Sequence, residues 1–169
     1  MRFWSGEPTR VWQTSKEIMP GPRYLEDLAV GDVHPTGSVE VTEAEAVAFA
    51  SRYDPQPMHT RPDAAKAGVF GGLIASGWHT AAMVMRLIVD ARPLGETPVL
   101  GLGVDELRWP KPVRPGDIIQ AETEVVSITP SQSKPDYGVV RMKVTTRNQL
   151  GEIVFTMIPK LWVPRRPER

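Results

Sequence analysis

The chain has 169 residues, with twenty basic and twenty acidic side chains that cancel and no long run of either sign. That length makes one domain the simplest organisation, and the cancelled charge leaves neither nucleic acid nor an anionic membrane as an expected partner, so a small molecule is the expected ligand. The absence of cysteine excludes disulfides, thiolate metal sites and a cysteine nucleophile, and fits a reducing, cytoplasmic compartment.

Residues 1–22 carry Trp4 and Trp12 among charges and Pro8, Pro20 and Pro22, without a clear period. They read as an extension that drapes over the body or over a second subunit. The stretch lacks the continuous apolar run of a secretory signal, so no export is expected. The folded domain is read as 23–164, opening at Tyr24-Leu25-Glu26-Asp27-Leu28 and leaving 165–169 as a tail. Gly31-Asp32 turns into a strand over 33–41, and Thr42-Glu43-Ala44-Glu45 reads as a capping box in which Glu45 reaches back to the Thr42 N–H. A helix follows over 43–53, with Ala46, Val47, Phe49 and Ala50 on one buried face.

From 54 to 76 the chain reads as irregular, with one short helical turn at 62–67 and flexibility at Gly68, Gly71 and Gly72. A helix over 77–90 is apolar almost all round, through Ala81, Val84, Leu87 and Ile88, and is therefore expected to be buried. Arg86 interrupts its apolar run, which is far too short to span a membrane. Strands are expected over 99–109, 117–128, 138–147 and 152–163, with a hairpin turn at Asn148-Gln149-Leu150-Gly151 joining the last two. Val140, Met142, Val144 and Thr146 alternate with Arg141, Lys143, Thr145 and Arg147, giving one covered and one wet face. The pattern is α+β, an antiparallel sheet with a buried helix.

Chemistry concentrates in Tyr53-Asp54-Pro55-Gln56-Pro57-Met58-His59 and in Ser76-Gly77-Trp78. The two prolines deny that first segment a helical continuation, so the Asp54 carboxylate and the His59 imidazole can be held toward one point. Such a pair can position and deprotonate a water. Gly77, at the start of the apolar helix, can aim a backbone N–H at a developing oxyanion. The three together make a hydration site. His34 and His79 lie outside this grouping and are read as structural. No i, i+4 ligand pairing accompanies the three histidines, so no metal is expected. Met83 and Met85 fit a packed helix, and no cofactor box is suggested.

With Asp54, Pro57 and His59 on its fixed positions, the segment resembles the Asp-x-Asn-Pro-x-His motif of the MaoC-like dehydratases, the hot-dog family that includes the (R)-specific enoyl-CoA hydratases. Four further stretches agree: 24–32 with the family's opening, Leu73-Ile74-Ala75 with its approach to the helix, Ser76-Gly77-Trp78 with its small-Gly-large step, and 108–117 with its Pro-Val-x-x-Gly-Asp strand entry. The resemblance covers 24–163. It implies a single hot-dog fold, an antiparallel sheet wrapped around a central buried helix. It also implies reversible hydration of trans-2-enoyl thioesters, with Asp54 and His59 binding the water and Gly77 donating to the thioester oxygen. Gln56 stands where the hydratases carry Asn, which keeps the amide but adds a methylene.

Ser76 and Trp78 flank Gly77 as candidate substrate contacts with Gln56, although a tryptophan there more often belongs to the core. Arg108, Lys111 and Arg114 could pair with phosphates of a coenzyme A or carrier-protein arm, solvated surface charge being the plainer reading of each. The expected partner is an acyl-CoA or acyl-carrier-protein thioester, with no cofactor besides that substrate. A lone hot-dog leaves a sheet edge open, so the resemblance implies a homodimer or larger homo-oligomer. Two other functions remain open at this point: a hot-dog acyl-CoA thioesterase, and a non-catalytic acyl-thioester binding module.

Overall fold

A computed structural model describes residues 21–167. The extension read over 1–22 lies outside the described residues except for its last two, as do the final two residues of the tail. Five strands and four helices follow a short 3-10 turn at Leu25–Asp27: β1 (Val33–Glu40), α1 (Glu43–Tyr53), α2 (Pro57–Thr60), α3 (Pro62–Ala67), α4 (Gly77–Ala91), β2 (Leu100–Arg108), β3 (Ile118–Pro130), β4 (Tyr137–Arg147) and β5 (Ile153–Pro164). The strands form one antiparallel sheet in the order β1-β3-β4-β5-β2, wrapped around α4. No helix among the described residues is long and apolar enough to cross a membrane.

Period-two alternation sets the sheet's inner face. Ala121, Thr123 and Val125 of β3 lie opposite Thr146, Val144 and Met142 of β4, and all six are buried. Their neighbours Arg141, Lys143, Thr145 and Arg147 are on the wetter outer face, as the alternation predicts. One apolar cluster joins Val39, Val84, Leu87, Ile119, Val154 and Phe155. A second joins Leu25, Leu28, Leu94, Val125, Val140 and Val163 at the other end of the sheet.

The two sheet edges differ. β1 carries Pro35, and its register with β3 shifts between Pro35 and Ser38. Among the described residues β2 pairs only with β5, and Val99, Leu100, Leu102 and Val104 are exposed in a stretch without a single charge. The bulges of β2, between Gly101 and Gly103 and between Asp105 and Arg108, fall on the β5 side.

Three local expectations change. Pro57 does not block a helix: it occupies the first turn of α2, where its missing N–H costs nothing. At the start of α1 the Thr42 hydroxyl accepts from the Glu45 N–H at 3.3 Å, but the Glu45 carboxylate returns to that same hydroxyl rather than to the Thr42 N–H. The third concerns α4, which is not buried all round. Met83, Val84 and Leu87 face the sheet, while Trp78, Ala82, Met85 and Val89 form an exposed stripe. The sheet can cover only one side of the helix, so among the described residues the other side of this apolar element stays largely open.

Candidate functional site

α1 and α4 bring the two halves of the site together. The Asp54 N–H caps α1 through a hydrogen bond to the Ala50 carbonyl (2.8 Å), and its side chain emerges just beyond the last turn. Ser76 caps α4, its Oγ accepting from the Trp78 N–H at 3.3 Å. The same Ser76 hydroxyl donates to Asp54 Oδ2 at 2.6 Å, tying the end of one helix to the start of the other. Gln56 Nε2 donates to the second carboxylate oxygen, Oδ1, at 2.8 Å. With the Ser76 hydroxyl as the larger cause, then the Gln56 amide, then His59 nearby, the Asp54 carboxyl lies below its ordinary range despite some burial in the opposite direction. It is therefore a carboxylate at neutral pH.

His59 is buried in the single turn of α2. Its Nδ1 lies 2.9 Å from the Ile74 carbonyl. A carbonyl can only accept, so Nδ1 bears the proton and the lone pair of the neutral ring sits on Nε2. That Nε2 is 3.5 Å from Asp54 Oδ2. The loop that orients the ring is itself fixed, since the Ile74 N–H donates to the Met58 carbonyl and the Ala75 N–H to the Val113 carbonyl. Asp54 and His59 thus converge on one point, the former accepting and the latter offering a basic nitrogen.

Gly77 is the first residue of α4, and its N–H meets no protein acceptor among the described residues. The helix dipole adds to the positive character of that free donor. The fold gives a further reason for glycine at this position. Its backbone is not in the left-handed region. A Cβ at this position would instead lie 2.9 Å from Cε2 of Trp109, inside van der Waals contact. The indole lies directly over the Gly77 Cα and donates from Nε1 to the Gly77 carbonyl at 2.8 Å. Trp109 is the site residue that sequence reasoning missed as such. It sits 32 positions further along the chain, and no local spacing links it to Gly77.

Trp78 belongs to the surface, not the core: it is 60% exposed and meets Trp109 edge-on at 5.4 Å between ring centroids. Trp109 in turn contacts the buried Phe155 at 6.0 Å. Gln56 is engaged with Asp54, which makes it a positioning group for the carboxylate. The basic cluster is not a free anion site: Lys111 pairs with Glu152, and Arg114 Nη2 donates to the Phe70 carbonyl at 2.6 Å, leaving Arg108 exposed. Both contacts form where the strand entry at 110–117 meets neighbouring turns. His34 lies 3.4 Å from Arg23 Nη1, and His79 stacks on Phe49 at 4.9 Å, so neither joins the pair. Burial lowers the pKa of both. Among the described residues no three His, Asp or Glu side chains cluster as a metal site requires.

Comparison with known proteins bears on the family and the fold. The family model for the MaoC like domain matches residues 29–148. The crystal structure of the MaoC-like dehydratase from Rhodospirillum rubrum superposes with a TM-score of 0.81 at 48% identity, covering 86% of this chain and 99% of that one. The R-hydratase PhaJ1 from Pseudomonas aeruginosa superposes with a TM-score of 0.70 at 26% identity, covering 86% and 88%. A 3-hydroxybutyryl-CoA dehydratase from Methylorubrum extorquens is 29% identical over 112 residues, 66% of this chain and 69% of its own length. The chain has the α+β hot-dog fold and belongs to the MaoC-like dehydratase family, whose relatives named here are hydratases and dehydratases.

Proposed function

We propose that the protein hydrates trans-2-enoyl thioesters reversibly, acting in the other direction as a 3-hydroxyacyl thioester dehydratase. The observation that carries this is the His59 ring, whose carbonyl-bound Nδ1 leaves Nε2 as a base 3.5 Å from an ionised carboxylate. Asp54 orients a water through its remaining acceptor capacity. His59 Nε2 takes one proton as the water oxygen bonds to C3, and the electron pair of the double bond moves toward the thioester carbonyl. The Gly77 N–H receives the charge that develops on that oxygen. The imidazolium, facing the Asp54 carboxylate, then returns the proton to C2, so the water is added across the double bond with no proton left over.

Trp109 keeps the donor in place from the far side of the helix turn. Ser76 and Gln56 hold the carboxylate and keep it ionised; Trp78 borders the entrance. We place Asp54, His59 and Gly77 as the catalytic groups, coenzyme A or a carrier protein as the thioester arm, and a homodimer as the working unit. The uncharged edge of β2 and the exposed stripe of α4 support the dimer, since two such surfaces, side by side, are what association would bury.

The test follows the loss of enoyl absorbance with a panel of enoyl-CoA esters. Asp54→Asn and His59→Ala are each expected to lower kcat by about a hundredfold to ten-thousandfold while the circular dichroism spectrum is unchanged. Near-normal turnover by either variant would overturn the assignment. Release of free thiol from acyl-CoA in place of enoyl turnover would identify a thioesterase.

A further inference from the structure

The first described residues are fastened to the segment that follows α4. The Gly21 carbonyl accepts from the Glu96 N–H at 3.0 Å, and the Arg23 carbonyl accepts from the Thr97 hydroxyl at 2.6 Å. The Arg23 guanidinium donates in turn to the Pro93 carbonyl at 2.7 Å. Gly95, at a φ of +61°, makes this approach possible, because a Cβ there would run into the Gly21 carbonyl oxygen.

The segment that holds Gly21 is also the rim of a cavity. Pro93, Leu94, Gly95 and Thr97 border a space of about 200 Å³ between the C-terminal half of α4 and the sheet. Its interior is apolar, with Leu94, Met142 and Met157 each buried. Arg92, the one charged residue among those described on its lining, pairs with Glu96 at 3.4 Å. Met85, Val89 and Val99 stand at its mouth and are exposed. Close-packed interiors seldom leave an apolar space of this size unfilled. At about 30 Å³ for each water-sized group, it takes about six or seven such groups.

Twenty residues precede Gly21, and the apolar pair nearest to it is Ile18-Met19. At no more than about 3.6 Å per residue, Ile18 is within about 11 Å of Gly21 and so of the cavity rim. The two side chains together are about the size that the cavity takes. Lys16 and Glu17, just before them, keep the rest of the segment in water. A group tethered so closely meets the cavity at an effective concentration on the order of millimolar, ahead of free apolar ligands at lower concentration. We infer that Ile18 and Met19 seat in the cavity of their own chain, making the segment before Gly21 a plug for the open end of the core. This does not rest on the reaction assigned to Asp54 and His59. A plug entering from the Gly95 side leaves the outer surfaces of Met85 and Val89 for the pairing proposed above.

The test uses the full-length chain, whose lack of cysteine makes any introduced pair the only thiols present. Ile18→Cys or Met19→Cys, each combined with Met85→Cys or Val99→Cys, gives four pairs. At least one is expected to close a disulfide within a single chain under mild oxidation, read by non-reducing electrophoresis and mass spectrometry. Leu150→Cys, exposed in the turn between β4 and β5, is expected to give none with either partner. A disulfide formed only between two chains would assign the cavity to a second copy and overturn the inference. So would the failure of all four pairs. A second measurement needs no crosslink. Ile18→Asp with Met19→Asp is expected to lower the melting temperature by about 4 °C or more and to raise the fluorescence of anilinonaphthalene sulfonate at least about twofold. Lys16→Asp should change neither. Met142→Trp, which fills the cavity from within, should abolish the dye gain of the double variant. A double variant with unchanged melting and dye binding would overturn the inference, and a dye gain that survives Met142→Trp would place the segment elsewhere and do the same.

Discussion

Asp54 is a carboxylate kept in one protonation state by hydroxyl and amide donors, and this has a measurable sign. Its folded pKa is depressed, so its hydrogen bonds contribute stability above its unfolded pKa and lose it as pH falls through the folded one. Ser76→Ala removes the largest cause of that depression. The acid limb that Asp54 contributes to the pH profile of kcat/KM is expected to move to higher pH, and an unmoved limb would mean that Ser76 does not hold the carboxylate. Gly77 gives a second test at the same scale. Gly77→Ala drives a methyl into the Trp109 indole and is expected to lower kcat on the order of a hundredfold, the worth of an oxyanion donor. In a Trp109→Ala background the methyl has room, so the same change should cost much less; equal losses in both backgrounds would show that the two residues are uncoupled.

At the scale of elements, what could be read from sequence was set by local physics. The Thr42 cap, the period of β4 and the turn at Asn148-Gly151 follow from short-range rules, and the structure has each of them within a residue or two. Asp54, His59 and Ser76 were legible because five and 22 residues separate them in a recognisable motif, and the fold does bring them into contact. Trp109 was not legible as a site residue, because its contact with Gly77 depends on where β2 ends in the sheet. The exposure of Trp78 was missed for a related reason: apolar character around a helix says that it will be covered, not by which chain. That surface yields the prediction proper to this scale. Leu102→Lys places a charge on the β2 edge, and Val89→Glu places one on the α4 stripe. Both are expected to shift the protein toward monomer in sedimentation equilibrium, with secondary structure retained. A dimer unaffected by either change would place the interface elsewhere.

For the molecule as a whole, association and stability are linked. If the folded chain is stabilised by pairing, its melting temperature rises with protein concentration, and the Leu102→Lys variant should show a lower and flatter dependence. A wild-type melting temperature independent of concentration would argue against an obligate pair. The sheet also limits how far such association can proceed. A sheet with two open edges can add copies at both ends without limit, which is the geometry of a fibre. Here only one edge is fit for joining. β1 is interrupted by Pro35, which offers no N–H, and by the register shift that follows it. Joining two β2 edges about a two-fold axis uses up both of them and leaves β1 at either end of the enlarged sheet. In the homodimer proposed above, growth by this edge would stop at two chains, because a proline and an irregular register sit at the far edge.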